Sequence, residues 1–308
     1  MAINGTVRNG GNTAGITSLV TDGNDIFGSG FWYGGTGNFE GTFSASWDGG
    51  AINWLADCHG DTHSVFVGLG AAVAILVFVL EARRLGHTDE RVAYIATGGL
   101  VGGAVFMRLG TWAQHLDPRA NASLVEQWLY GNRSVLGGLL GAWLGVHLVK
   151  RLTGYRRRTG DVFAPAVAAG MAVGRVGCFL TEAPGTPTGA GWGMVLDPNT
   201  AARVGAPAGV ALHPSFLYEI AFHALAFAVL WGWARHQQFA PGETFVAYIA
   251  AYAIFRFGVE FVRGNEVVWH GLTRPQLFLA VTAPFLVARV IWLVASGRLR
   301  PRAGAAIS

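Results

Sequence analysis

The chain has 308 residues, of which 52% are hydrophobic and only 13% are charged, and its mean hydropathy is +0.38. Soluble domains carry about 25% charged residues, so the composition excludes an ordinary soluble protein and indicates one whose main solvent is a lipid bilayer. The formal net charge of +4 does not indicate nucleic-acid binding, because membrane proteins concentrate basic residues in their cytoplasmic loops.

The first sixty residues differ in composition from the rest of the chain. They are rich in Gly, Asn, Thr and Ser, they include Phe31, Trp32, Tyr33 and Trp47, and they lack the basic start and apolar stretch of a signal peptide. We interpret residues 1–60 as a polar extracytoplasmic segment, either a loop or a small β-rich cap. A transmembrane domain at 61–297 and a basic cytoplasmic tail at 298–308 are predicted to follow.

Seven apolar stretches approach the roughly 20 residues that a spanning helix needs. They lie near Ser64–Leu80, Ala93–Gly110, Ser134–Val149, Val162–Leu180, Phe216–Ala234, Thr244–Val262 and Gln276–Ala295. Several contain glycines at four-residue spacing, which favours close packing of helix backbones in lipid. The predicted fold class is therefore all-α, a polytopic membrane protein with about seven transmembrane helices.

The distribution of basic residues predicts the orientation. If the N-terminus is outside, twelve Lys and Arg residues fall in cytoplasmic segments and six fall outside, while Arg108, Arg175, Arg256 and Arg289 lie within spans. Because cytoplasmic loops are enriched in Lys and Arg, we expect the N-terminus outside and the C-terminus in the cytoplasm. The long loop from Thr181 to Leu212 is then external, so the functional surface is expected to face outward.

The two cysteines, Cys58 and Cys178, form neither a disulfide framework nor a metal-ligand pattern at the level of the sequence. Both are interpreted as unpaired. Cys178 is interpreted as a small hydrophobic residue in preference to a carrier of a transient acyl or thioether group. No metal and no organic cofactor is expected.

Arginine inside a membrane requires an explanation, because a charged side chain at the bilayer centre costs about 2.5–3.5 kcal/mol on insertion scales. Arg289 has no acidic neighbour in the sequence and is interpreted as snorkelling towards the interface. Arg108 is expected either to pair with Asp117 or Glu126 or to line a cavity. Arg175 lies between Gly174 and Gly177, and its planar guanidinium suits phosphate, although a structural role bonded to backbone carbonyls remains an alternative.

Two further segments combine intramembrane charges. Arg256, Glu260 and Arg263 follow the i, i+4, i+7 spacing of one helix face, so Glu260 is expected to neutralise and orient the arginines, or to form a purely structural ion network. Glu219 enters the fifth span just after Tyr218, and we expect it to pair with an intramembrane arginine or to handle protons. Tyr218 also suits an interfacial anchor.

These segments, taken in order, resemble the prolipoprotein diacylglyceryl transferase family over roughly residues 63–295. The segments that carry the resemblance are Ser134–Gly141, Gly174–Leu180, His213–Glu219 and Phe255–Arg263. The resemblance implies a seven-span bacterial inner-membrane enzyme without a cofactor. It implies transfer of the diacylglyceryl group of phosphatidylglycerol to the lipobox cysteine thiol of a prolipoprotein, which forms a thioether and releases glycerol-1-phosphate.

Under this resemblance, the expected catalytic residues are Arg175 and Arg256, which would bind phosphate and stabilise the leaving group, with Glu260 holding Arg256. The expected substrate-binding residues are Arg263, Tyr218, Glu219, Glu182 and His63. The expected partners are phosphatidylglycerol, other membrane lipids and the signal peptide of a prolipoprotein, with no nucleic acid.

Three positions depart from the family's pattern. Leu136 occupies the place of the usual histidine before Gly137, Val65 that of the usual tyrosine, and Cys178 that of the usual asparagine. A base carried by that histidine must therefore be lost, unnecessary or moved, and His63 and Glu182 are the candidates to replace it.

Because of these departures, alternatives to the transferase remain open. They are a related enzyme with another acceptor, a non-enzymatic homologue that binds anionic lipid or serves as a subunit of a membrane complex, and a transporter. Against the transporter, the sequence has no clear internal repeat.

Overall fold

The computed structural model describes the backbone of residues 5–9, 12–22, 25–34, 37–47 and 52–57, together with residues 59–110, 124, 134–237 and 239–299. Some sequence predictions concern residues or side chains outside these. They are the predictions for Phe31, Trp32, Tyr33, Trp47, Cys58, Asp117 and Glu126.

The N-terminal segment contains five strands in one antiparallel sheet. The strands are β1 (Gly5–Asn9), β2 (Asn12–Asp22), β3 (Asp25–Gly34), β4 (Gly37–Trp47) and β5 (Ile52–Asp57). Each strand pairs with the next one along the chain, so the sheet is a meander of consecutive hairpins. Such short, local connections are typical of antiparallel sheets.

Seven long helices follow the sheet in the part of the chain that the structure describes. In chain order, with one short helix (α5), they are α1 (His59–Arg84), α2 (Arg91–Leu109), α3 (Val135–Thr153), α4 (Gly160–Thr181), α5 (Pro198–Val204), α6 (Ser215–Gly232), α7 (Glu243–Val259) and α8 (Arg274–Ala295). All of them except α5 are long and apolar enough to cross a membrane. The prediction of an all-α polytopic membrane protein with about seven spans is confirmed; the orientation remains a prediction.

The segments that follow α4 and α7 contain short pieces of regular structure. Between α4 and α6, β6 (Met194–Val195) and β7 (Ala211–Leu212) pair, with α5 between them. Leu196, Ala201 and Leu212 form a small hydrophobic core there. After α7, a 3₁₀ turn at Glu260–Val262 leads to the paired strands β8 (Val267–Trp269) and β9 (Leu272–Thr273).

The chain divides into two compact units. The first comprises Met1–Val77, Ala164–Phe239 and Val246–Ser308, and the second comprises Phe78–Phe163 and Ala240–Phe245. In the second unit, α2 and α3 pack through their glycines, since a Cβ added to Gly102 or Gly145 would collide with the backbone of the other helix. These glycines therefore serve close helix packing, as their spacing indicates.

In the first unit, glycines bring α1 close to α4. A Cβ on Gly70 would lie 3.0 Å from the backbone nitrogen of Gly174, and a Cβ on Gly177 would lie 3.1 Å from the carbonyl oxygen of His63. Gly177, which follows Arg175 in the sequence, thus lies against α1. The absence of a side chain at Gly177 allows His63 to approach the α4 residues beside it.

Candidate active site

Glu219 on α6 is the centre of a buried ion network in the first unit. Its side chain is fully buried, and each carboxylate oxygen faces a guanidinium. Nη2 of Arg175 on α4 lies 2.7 Å from Oε2, and Nη1 of Arg263 donates to Oε1 at 2.7 Å. Nε of Arg256 on α7 lies 4.0 Å from Oε1. Glu219 therefore gathers three arginines from two helices and the segment after α7.

Glu260 holds Arg256 from the opposite side. Nη1 of Arg256 donates to Oε2 of Glu260, and the other carboxylate oxygen accepts from Nδ2 of Asn265 at 2.6 Å and from Oγ1 of Thr273 at 2.8 Å. The Glu260 carboxylate is thus satisfied by three donors and is almost fully buried. Such a network fixes the direction of the Arg256 guanidinium, as the sequence led us to expect.

Arg263 lies just beyond the sixth apolar span, which contains α7. The helix ends at Val259 and the chain continues as a 3₁₀ turn, so Arg263 does not continue the α-helical face of Arg256 and Glu260. Its guanidinium lies 4.3 Å from the ring centre of Phe216 and contacts Glu219. Burial lowers the pKa of Arg263 from its ordinary value, and the negative charge of Glu219 opposes that change.

The buried network has an unbalanced charge. Three arginines face two buried glutamates, Glu219 and Glu260, which leaves one formal positive charge before the partly exposed Glu182, 3.9 Å from Arg263, is counted. In addition, the Nε atoms of Arg175 and Arg263 are buried and form no hydrogen bond with any atom in the described part of the chain. Unpaired buried donors cost about 1–3 kcal/mol each, so this arrangement is suited to an anionic ligand that accepts from them.

His63, Cys178 and Glu182 lie together beside Arg175. The sulfur of Cys178 is 3.5 Å from Nε2 of His63, and Nε2 is 3.8 Å from Oε1 of Glu182. Nη1 of Arg175 lies 3.7 Å from the sulfur, and Oε2 of Glu182 lies 3.9 Å from Nη2 of Arg263. Cys178 is buried, His63 is partly buried, and 43% of the Glu182 side chain is exposed.

The structure therefore brings together seven of the eight residues that the sequence analysis named for the site. The remaining one, Tyr218, lies next to Glu219 in the chain, but its hydroxyl lies 3.2 Å from Nδ1 of His213. Arg289, interpreted as snorkelling, lies with its guanidinium carbon 4.5 Å from the ring centre of Trp292.

Three residues of the network were missed by the sequence analysis. Thr273 and Asn265 bind Glu260, and the hydroxyl of Tyr252 donates to Oε2 of Glu219 at 3.5 Å. Two of them had local signals. Tyr252 precedes Arg256 by one helical turn, and Thr273 forms a capping box with Gln276 at the start of α8. Asn265 had no such signal, because it lies in a loop.

A cavity of 590 Å³ opens beside the network. Glu182, Arg263, Phe216 and Asn265 are among its lining residues, together with the loop after α4. Since Arg263 also contacts Glu219, this cavity lies directly against the buried cluster and is large enough for part of a lipid headgroup or an extended peptide.

Comparison with known proteins agrees with the resemblance. A family model described as prolipoprotein diacylglyceryl transferase matches residues 55–295. Proteins named phosphatidylglycerol–prolipoprotein diacylglyceryl transferase are similar to the chain. The one from Pseudomonas paraeruginosa is 30% identical over 256 residues, which cover 77% of this chain and 90% of that protein.

Two further proteins of the same name extend the comparison. The one from Bordetella bronchiseptica is 32% identical over 207 residues, covering 61% of this chain and 73% of that protein. The one from Clostridioides difficile is 25% identical over 221 residues, covering 70% and 83%. The similarity therefore spans most of the length of these relatives.

Proposed function

The chain belongs to the prolipoprotein diacylglyceryl transferase family, and on that premise we propose that it transfers the diacylglyceryl group of phosphatidylglycerol to the lipobox cysteine of a prolipoprotein. The multi-pass membrane protein would act in the bacterial inner membrane, with its site on the outer face. The network around Glu219 lies near the ends of α4 and α7 and next to the loop after α4, which is external in the predicted orientation.

The observation that carries this proposal is the unbalanced positive charge of the buried network. Phosphatidylglycerol has one phosphodiester, which bears one negative charge, and the network of Arg175, Arg256 and Arg263 with two glutamates has one positive charge left over. The Nε atoms of Arg175 and Arg263, which have no hydrogen-bond partner in the described part of the chain, can donate to this phosphate. Guanidinium groups bind phosphate well because their planar donors match its oxygens.

In the proposed reaction, the thiolate sulfur attacks the glyceryl carbon that bears the phosphate. A carbon–sulfur bond forms, the carbon–oxygen bond breaks, and the electron pair stays on the phosphate oxygen, so glycerol-1-phosphate leaves. Negative charge grows on that oxygen during the step. The buried guanidinium groups of Arg175 and Arg256 stabilise this charge, because preorganised donors act strongly where they are shielded from solvent.

The two glutamates have different roles in this proposal. Glu260 orients Arg256 and is itself fixed by Asn265 and Thr273. Glu219 holds Arg175 and Arg263 in place and offsets enough of their charge for the cluster to exist within the membrane. Arg263 contacts the headgroup or the precursor at the edge of the cavity, where Glu182 also lies.

The test is an assay of prolipoprotein lipidation in a strain depleted of its own transferase. Expression of this chain should restore lipidation, and Arg175→Ala and Arg256→Ala should abolish it. The matched control is Arg274→Ala, a partly exposed arginine near Glu266. Normal membrane insertion without lipidation by the unaltered chain would contradict the proposal.

One alternative has support from the sequence. Leu136, Val65 and Cys178 replace polar residues of the family's pattern. A homologue that binds anionic lipid without transferring it would keep the arginine network and lose the base. Phosphatidylglycerol binding that depends on Arg175 in a chain that lipidates no precursor would favour this alternative.

A further inference from the structure

The cluster of His63, Cys178 and Glu182 joins residues that are 115 positions apart in the sequence. One nitrogen, one sulfur and one carboxylate oxygen lie within 4.8 Å of one another. These three donors are of the kinds that bind zinc in proteins. Nε2 of His63 lies within 4 Å of both Sγ of Cys178 and Oε1 of Glu182, so the three donor atoms are close enough to share one ion.

Two of the three distances between donor atoms are close to those of tetrahedral zinc, and the third is at most 4.8 Å. With Zn–S near 2.3 Å and Zn–N near 2.0–2.1 Å, tetrahedral angles separate sulfur and nitrogen by about 3.6 Å, and nitrogen and oxygen by about 3.4 Å. The corresponding distances here are 3.5 Å for Cys178 and His63, and 3.8 Å for His63 and Glu182. A small rotation of the Glu182 side chain, which is 43% exposed, is enough to close the second distance.

The charges also permit a divalent cation. A thiolate and a carboxylate cancel the two positive charges of the ion, so an occupied site adds no net charge beside Arg175. Arg175 lies 3.7 Å from the sulfur, but its own charge is met by Glu219 at 2.7 Å. A neutral metal centre can therefore coexist with the arginine network.

We propose that His63, Cys178 and Glu182 form a three-ligand zinc site whose fourth position receives the thiol of the acceptor cysteine. This inference rests on the proposed function. Three protein ligands with one open position are the arrangement of catalytic zinc, and a thiol that coordinates zinc loses its proton. The site would thus deprotonate the acceptor thiol. Leu136 cannot do so, although it occupies the position of the family's usual histidine.

The acceptor thiol binds zinc and releases its proton to water; its sulfur then forms a bond with the glyceryl carbon while the carbon–oxygen bond to phosphate breaks. The phosphodiester monoanion and the thiolate become a thioether and a phosphate monoester dianion. Cys178 acts as a ligand and not as the nucleophile. If Cys178 took up the diacylglyceryl group, its thiolate would be a poor leaving group from the resulting thioether, and the group could not pass to the acceptor.

Cobalt spectroscopy of the full-length protein tests the site without any activity measurement. The protein is purified in detergent, stripped with a chelator and loaded with Co²⁺. Visible bands of tetrahedral cobalt and a sulfur-to-cobalt charge-transfer band are expected. Both should disappear in Cys178→Ser and His63→Ala, weaken in Glu182→Gln, and persist in the matched controls Cys58→Ser and His147→Ala.

The open position is tested with a lipobox peptide. The peptide that contains cysteine should increase the charge-transfer band, because a second sulfur binds cobalt, and the same peptide with serine should not. Absence of the bands, their survival in Cys178→Ser, or no response to the cysteine peptide would overturn the inference. Bands that respond to the peptide in a protein that never lipidates a precursor would support the zinc site and contradict the proposed function.

Discussion

Nη2 of Arg175 lies 2.7 Å from Oε2 of Glu219, and both side chains are buried, Glu219 completely. The first residue belongs to α4 and the second to α6, so this ion pair joins two membrane helices at the centre of the candidate site. Because neither side chain reaches water, each requires the other, and the pair is as much a condition of the fold as of the proposed chemistry.

Substitution of Glu219 by Gln is expected to destabilise the protein strongly. The change removes the carboxylate that Arg175 and Arg263 share, and loss of one partner of a buried pair costs about 3–5 kcal/mol. The thermal transition in detergent should fall by several degrees. Glu266→Gln is the matched control, since Glu266 is exposed and should leave the transition unchanged. Equal behaviour of the two variants would refute the importance of the pair.

Arg256→Lys should separate the charge of the guanidinium from its geometry. Lysine keeps the positive charge but lacks the planar fork of donors that Glu260 orients. Lipidation is expected to fall by about 100-fold or more, in kcat more than in KM, because the lost donors act on the leaving group. Single-turnover lipidation in vesicles of phosphatidylglycerol measures this effect. An unchanged kcat would show that charge alone is sufficient.

Thr273 is expected to be a positioning residue. Its hydroxyl donates to Glu260 and its side chain caps α8, so Thr273→Val removes both interactions. Loss of the cap costs about 0.5–2 kcal/mol, and the less constrained Glu260 should reduce the kcat of lipidation with little change in KM. Thr273→Ser keeps the hydroxyl and should restore both stability and kcat. If serine fails to restore them, the hydroxyl is not the relevant group.

Gly141 is expected to tolerate no large side chain. A Cβ at this position would collide with the carbonyl oxygen of Gly102 and with Phe106 on α2, so Gly141→Leu should separate α2 from α3. Overpacking costs about 1–3 kcal/mol in well-packed interiors, and a lower thermal transition measures it. Gly68→Leu is the control, because a Cβ on Gly68 has no described atom within 4 Å.

The loop after α1 is expected to make stability depend on pH. Nδ1 of His87 lies 2.5 Å from the hydroxyl of Tyr155, and burial, with Arg157 and Lys150 nearby, lowers the pKa of His87 below its ordinary value of 6.5. The unfolded chain therefore binds a proton as the pH falls through 6.5, whereas the folded chain does not, so folded-state stability decreases below that pH.

Thermal transitions at several pH values between about 5 and 8, roughly 1.5 units on either side of the ordinary histidine pKa, would reveal this dependence. The fall at low pH should be smaller in His87→Asn, which cannot titrate. His147→Asn, at a histidine whose Nδ1 lies 2.8 Å from the carbonyl oxygen of Trp143, serves as the control and should retain the dependence of the unaltered protein. Identical profiles for all three proteins would exclude His87 as the cause.

The sequence by itself determined the membrane architecture. Hydropathy over about twenty residues is a local property, and it identified all seven long helices because a bilayer imposes the same length requirement on each of them. The same local property marked Arg175, Arg256 and Glu219 as unusual, since the cost of burying a charge does not depend on which residue later neutralises it. Four-residue spacing also predicted the pairing of Arg256 with Glu260 within one turn.

Only the tertiary structure decided which charges meet. Glu219 contacts Arg175 and Arg263, and Cys178 contacts His63. Arg263 is 44 residues from Glu219 in the sequence, and His63 is 115 residues from Cys178. No local pattern encodes such contacts, because they depend on how close two helices approach and how each is rotated about its axis. At His63 the approach is set by Gly177, where a missing side chain lets α1 reach α4. A cysteine interpreted from sequence as a small apolar residue thereby becomes a neighbour of a histidine and a carboxylate.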